Sequence, residues 1–187
     1  MIHDHDLLRR LSALPMQEFS GEVFRVTSLT RDATEASANG GRWGAAENHA
    51  PGTPVLYTSM EADGALAEVA SYLVDLSPLP RSRMVKVNRL AVTASKVVTL
   101  TWGELPLLGV DREHYGSRDY FRTQQIGAAL EHLGADGLIA PSARFGCNNL
   151  MIFASQHGFD ETLDVLSFHE VEWRDWARQR GMLTGKE

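Results

Sequence analysis

An α+β domain is the fold class the sequence predicts, on three observations. Segments with strand periodicity and segments with helical periodicity are mixed along the chain, without the regular alternation of a doubly wound sheet. The 187 residues are 43% hydrophobic, enough to bury one substantial core. No linker, composition shift, internal repeat or low-complexity tract divides them, so residues 1–187 read as a single domain.

Each element has a local reason. Asp6 to Leu14 carries Leu7, Leu8, Leu11 and Leu14 at helical spacing and stops at Pro15, which predicts a short amphipathic helix capping the core. Glu22 to Thr27 alternates Val23, Arg25 and Thr27 against Phe24 and Val26, the period of a strand, with Arg25 on its polar face. Ser28 to Pro54 is rich in Thr, Ser, Ala, Asn, Gly and Pro, too irregular for an element and long for a passive loop. Val55 to Tyr57 is a short strand. Thr58 with Glu61 has the spacing of a capping box for a helix from Met60 to Leu76. On that helix Ala62, Leu66, Val69, Ala70, Leu73 and Leu76 share one stripe. Glu61, Gly64, Glu68, Ser71 and Asp75 share the other, so Glu68 is turned away from the apolar core.

Met84 to Val92 and Lys96 to Leu100 read as two strands, and Arg118 to Leu133 as a helix ended by Gly134. Gly137 to Ala140 reads as a buried strand, and Asn149 to Ala154 with Leu163 to Glu172 completes the sheet.

Bulk properties exclude several function classes. A net charge of −6 with scattered basic residues opposes direct nucleic-acid binding or attraction to an anionic membrane, both of which need clustered Lys and Arg. One cysteine, Cys147, allows no intrachain disulfide. No signal-peptide pattern opens the chain, and no apolar run reaches the roughly 18–20 residues needed to span a bilayer, so the expected location is cytoplasmic. His3, Asp4, His5 and Asp6 are adjacent residues at a chain end and read as a tail, not a metal site. His49, His114, His132, His157 and His169 lack metal-ligand spacing, so no metal is expected. Walker, Gly-x-Gly-x-x-Gly and Gly-x-Ser-x-Gly motifs are absent.

Two clusters carry chemistry. One runs through Gly40-Gly41-Arg42-Trp43, Val55 to Ser59 and Glu68; the other joins Ala140-Pro141-Ser142-Ala143-Arg144 to Cys147-Asn148-Asn149 and Leu150 to Phe153. Cleavage of the nicotinamide–ribose bond of NAD⁺ would use such a set. Its leaving group is already cationic, so no general acid is required, and the transition state places positive charge on the ribose. A carboxylate stabilises that charge where it develops, and Glu68 is the candidate. A diphosphate calls for the fork of an arginine, and Arg25 and Arg42 supply two. Tyr57, at a strand end just before the helix bearing Glu68, offers a flat wall for the nicotinamide ring. Trp43 can do the same, although core packing is its commoner use. Ser142 and Asn148 are candidates to orient the cofactor, against the plainer reading of turn residues satisfying nearby backbone.

The order of these motifs resembles the RES-domain family, toxins of RES–Xre toxin–antitoxin modules named for Arg, Glu and Ser motif residues. The resemblance runs from Phe24-Arg25-Val26 through Gly40-Gly41-Arg42-Trp43, Val55-Leu56-Tyr57 and Ala65-Leu66-Ala67-Glu68-Val69. It continues through Gly137 to Arg144 and on to Ile152-Phe153, roughly residues 22–170, leaving residues 1–15 as a helical extension. It implies an ADP-ribosyltransferase-like fold, with two small mixed or antiparallel sheets flanking an NAD⁺ cleft. It also implies an NAD⁺-consuming toxin neutralised by a cognate Xre-like antitoxin. By the same resemblance Arg42, Tyr57 and Glu68 are the catalytic set, and Arg25, Arg42, Tyr57 and Ser142 hold NAD⁺. Gly44 follows Trp43 where the family often has Asn, which removes one side-chain hydrogen bond from the expected site.

Three functions remain open on these residues: an NAD⁺ glycohydrolase or phosphorolase, a mono-ADP-ribosyltransferase acting on a protein, and a non-catalytic module that binds antitoxin or nucleotide. The first releases nicotinamide without a protein acceptor, the second labels a protein, and the third tolerates Glu68→Gln.

Overall fold

The computed structural model describes residues 4–45 and 54–183. Helix α1 (His5–Ser12) comes first. Asp4 and Asp6 of the expected tail belong to it: Asp4 caps the helix by accepting the Asp6 amide at 2.9 Å, and Asp6 pairs with Arg9 and Arg10. His3 and His49 lie outside the described residues.

Strand β1 (Met16–Thr27) is longer than the alternation alone indicates. Then follow β2 (Val55–Ser59), α2 (Ala62–Val74), β3 (Met84–Thr99) and the single turn α3 (Glu104–Leu107). Helix α4 (Phe121–His132), β4 (Gly137–Pro141), β5 (Asn148–Phe153), β6 (Leu163–Glu172) and α5 (Trp173–Gln179) are the remaining elements among the described residues. The last strand has the bounds expected of it. Gly134, at φ +81°, ends the helical stretch that α4 opens, as a left-handed C-terminal residue should.

Instead of two separate sheets, the strands form one six-stranded sheet in the order β1-β2-β5-β4-β3-β6, and β1 also pairs with β3. That extra pairing closes β1, β2, β5, β4 and β3 into a barrel. The physical cause is β3. Expected as two strands, it runs unbroken for 16 residues. One of its edges carries β1 from Lys86 to Val98. The other carries β6 along Met84 to Val92 and, in parallel, β4 along Val97 to Thr99. A strand satisfied on both edges along its length leaves no gap at which the sheet can split.

The barrel interior holds Val23, Leu56, Leu90, Val92, Val97, Leu150 and Ile152. Outside, α1 and α4 cover one side around Ile126, Leu130, Leu138 and Phe153. Helices α2 and α5 cover another around Leu66, Leu73, Val85 and Trp173. Because β1 is covered on both sides, its Arg25 face is no solvent face. Val23, Arg25 and Thr27 are all buried, which corrects the expected placement of Arg25.

Helix α2 departs from its predicted start. Thr58 donates to the Leu150 carbonyl at 2.7 Å inside the sheet, and Glu61 makes no side-chain cap bond, so the capping box does not form. The helix is buried on more than one stripe, including Gly64, Ala65, Ala67 and Ser71, since β2 lies against one flank and α5 against another. Gly64 allows the approach to β2: a Cβ there would collide with the Ser59 hydroxyl and the Cys147 sulfur.

Candidate active site

Strands β1 and β2 touch at one register pair, Phe24 opposite Ser59. Where they part, a cleft of about 400 Å³ opens, lined from β1 by Arg25, from β2 by Tyr57 and from α2 by Glu68. The Gly40–Trp43 turn forms another wall, and the ends of β4 and β5 contribute Pro141 and Asn149. The sequence-separated clusters therefore meet in one place.

Glu68 is the single carboxylate among the described residues of the lining. Two donors converge on one of its oxygens: Ser142 Oγ donates to Oε1 at 2.7 Å and Asn149 Nδ2 donates to the same atom at 2.8 Å. Hydrogen bonds to a charged acceptor contribute about 1.5–3 kcal/mol each, so the carboxylate is fixed in orientation. Oε2 has no protein partner among the described residues and is left for a ligand. Ser142 is itself anchored. Its hydroxyl accepts the amides of Arg144 and Phe145 at 3.0 and 3.1 Å, and its amide donates to the Cys147 carbonyl at 2.8 Å.

Arg42 is held between two rings, its guanidinium carbon 4.5 Å from the Tyr115 centroid and 4.7 Å from that of Tyr120. It also donates to the Ser117 carbonyl at 3.2 Å. Burial lowers its pKa, and the charge of Arg144 acts in the same direction, while Glu68 opposes both. An anion in the cleft would relieve that cost. Tyr57 accepts the Trp43 amide at 3.2 Å, and burial pushes its hydroxyl above the usual phenol range. The ring approaches the turn so closely that a Cβ on Gly41 would fall 2.6 Å from its oxygen. Trp43 is a core residue, 2% exposed.

Arg25 donates to the Ala33 carbonyl at 3.0 Å and lines the cleft while 7% exposed. Burial brings its pKa down to about 10, with the charge of Arg31 adding to the effect.

Asn148 and Asn149 exchange their expected places. Strand alternation turns Asn148 outward, exposed and absent from the lining, and turns Asn149 toward Glu68. The Asn149 Oδ1 is buried without a hydrogen-bond partner among the described residues. Sequence reading also passed over Tyr115 and Tyr120, which lie in an irregular segment before α4, and the cleft face of Arg144. No group of three or more His, Cys, Asp or Glu among the described residues is placed to hold a metal ion. No helix among them is long and apolar enough to cross a membrane.

The RES domain model matches residues 18–174, which takes in β2 to β6, all but the first two residues of β1, and every described residue of the cleft lining. The chain belongs to the RES domain family. A probable NAD(+) phosphorylase of Mycobacterium tuberculosis (strain ATCC 25618 / H37Rv) is 34% identical over 126 residues, 66% of this chain. This RES domain protein spans 60% of that relative's length. In fold it is similar to a chain from the crystal structure of the M. tuberculosis MbcT–MbcA toxin–antitoxin complex. There the TM-score is 0.77 at 20% identity, with 95% of this chain and 98% of the other covered.

Proposed function

We propose that this RES domain protein consumes NAD⁺ by phosphorolysis of the nicotinamide–ribose bond, in an ADP-ribosyltransferase-like cleft, and that a protein antitoxin restrains it. The observation that carries the reading is the Glu68 carboxylate, held through Oε1 with Oε2 free, in a cleft otherwise walled by arginines and tyrosines. The relative named as a probable NAD(+) phosphorylase supports phosphate as acceptor, and the toxin–antitoxin complex of similar fold supports a protein partner.

Chemically, the bonding pair of the C–N glycosidic bond leaves with nicotinamide, which departs neutral. Positive charge then spreads over the ribose anomeric carbon and ring oxygen. Glu68 Oε2 stabilises that charge directly or through the ribose 2′-hydroxyl. Tyr57 walls the nicotinamide, and Arg25 and Arg42 neutralise the diphosphate. An oxygen of hydrogen phosphate bonds to the anomeric carbon on the face opposite the leaving group. The products are nicotinamide, ADP-ribose bearing phosphate at that carbon, and a proton passed to water.

The test is nicotinamide release by wild type and Glu68→Gln, with and without phosphate. Phosphate-dependent release that falls at least tenfold, by roughly 1.4 kcal/mol or more of transition-state stabilisation, is expected in the variant. Equal rates in the two proteins overturn the assignment of Glu68, and a labelled protein band in place of free product selects the transferase. Recovery of no protein partner from the native operon overturns the antitoxin.

A further inference from the structure

Five arginines line the cleft among its described residues, and four have commitments. Arg25 is bonded to the Ala33 carbonyl, and Arg31 pairs with Glu35 at 3.6 Å. Arg42 is clamped between Tyr115 and Tyr120, and Arg118 pairs with Asp75 at 2.5 Å. Arg144 is different. Its guanidinium makes no ion pair, ring contact or hydrogen bond with the described residues, although the residue is half-buried.

Its position is nevertheless fixed. The Arg144 amide donates to Ser142 Oγ at 3.0 Å, and that same hydroxyl donates to Glu68. At the far end, Arg144 Nη1 lies 3.8 Å from where a Cβ on Gly116 would stand, so it reaches the segment whose tyrosines clamp Arg42. An uncommitted arginine thus springs from the turn that holds the proposed catalytic carboxylate and ends at the segment whose tyrosines clamp Arg42, close enough for its charge to act on that second guanidinium. Two like charges so placed cost free energy in the empty cleft, and an oxyanion between them removes that cost.

We infer that Arg144 is the acceptor-binding residue, holding inorganic phosphate next to the ribose carbon that Glu68 serves. This rests on the phosphorolytic reading of the site. A phosphoryl oxyanion is the shared chemistry, and it has two sources, free phosphate and the diphosphate of NAD⁺ itself. Arg25 and Arg42 take the second.

The experiment uses the full chain as wild type, Arg144→Lys and Arg144→Gln, with inorganic phosphate and NAD⁺ each varied against saturating partner. For Arg144→Gln the KM for phosphate is expected to rise about tenfold or more while the KM for NAD⁺ stays within about twofold. The share of plain ADP-ribose among the products is expected to rise as water replaces phosphate. Arg144→Lys keeps the charge without the fork and is expected to lie between the two, which separates the effect from misfolding. A raised KM for NAD⁺ with that for phosphate unchanged assigns Arg144 to the diphosphate and overturns the inference, as does no change in either. Wild-type release that ignores phosphate overturns the phosphorolytic reading first, and this inference falls with it.

Discussion

Ser142 Oγ donates to Oε1 of Glu68 at 2.7 Å across a separation of 74 residues, joining the turn after β4 to the middle of α2. On that bond Ser142 is proposed as a positioning residue. It touches the carboxylate, and the cavity lining does not include it. Ser142→Ala removes one of the two donors on Oε1 and leaves two backbone amides without their acceptor. The expected outcome is a kcat lower by about tenfold with a much smaller change in the KM for NAD⁺, since the loss falls on the carboxylate and not on the arginines. Steady-state nicotinamide release checks it, and an unchanged kcat removes the positioning role.

The neighbouring asparagines give a paired test. Asn149→Ala deletes the second donor to Glu68 and is expected to lower kcat by about tenfold, the consequence of losing roughly 1.5 kcal/mol from a charge-assisted bond. Asn148→Ala removes an exposed side chain outside the cleft and is expected to leave kcat and KM within about twofold of wild type, as surface substitutions usually do. A reversed pattern would return the site role to Asn148.

Arg25 sets stability against function. Its pKa near 10, below the usual guanidinium range, means the folded protein gives up this proton at lower pH than the unfolded chain. Below pH 10 both states are charged, and burying the charge costs the fold on the order of a few kcal/mol, the Ala33 bond included. Above about pH 10 the unfolded state binds more protons, so this cost is progressively lifted as pH rises. Arg25→Met is therefore expected to match or exceed the wild-type Tm at pH 7, with that advantage shrinking above pH 10, while the KM for NAD⁺ rises about tenfold. Calorimetry across pH and kinetics at pH 7 check the two halves. A large drop in Tm at pH 7 would make Arg25 a structural residue.

Long periodic elements were legible in the chain. The strand from Leu163 to Glu172 has its expected bounds, and Glu68 lies off the apolar core as the stripes on its helix indicate. Barrel closure was not legible, because the β1–β3 pairing joins residues such as Arg25 and Asn88 that no local pattern connects. The same closure hid the true side of Arg25: alternation gives two faces but does not say that both are covered. The capping box failed because tertiary pairing claimed Thr58 first. Asn149 follows from the register of β5, whereas the clamp on Arg42 takes Tyr115 from an irregular segment and Tyr120 from just before α4, which starts at Phe121 and not at the expected Arg118.

The two glycines before Arg42 are needed for different reasons, and substitution separates them. Gly40 has φ 78°, a left-handed conformation that costs a side chain about 1 kcal/mol. Gly41 has no such constraint. A Cβ there would instead sit 2.6 Å from the Tyr57 oxygen and 2.7 Å from its Cζ, against the ring proposed to wall the nicotinamide. Gly40→Ala is thus expected to lower stability by about 1 kcal/mol and to leave kcat within a few-fold of wild type, because the strain is local to the turn. Gly41→Ala must move either the ring or the turn, at a cost of about 1–3 kcal/mol, and either movement disturbs the Tyr57–Trp43 bond and the approach of Arg42. Its expected signature is a loss of nicotinamide release well beyond what its Tm shift explains, with altered near-UV signals from the buried Trp43 and the partly buried Tyr57. Equal activity in the two variants at matched stability would mean that the Tyr57 wall does not shape the reaction.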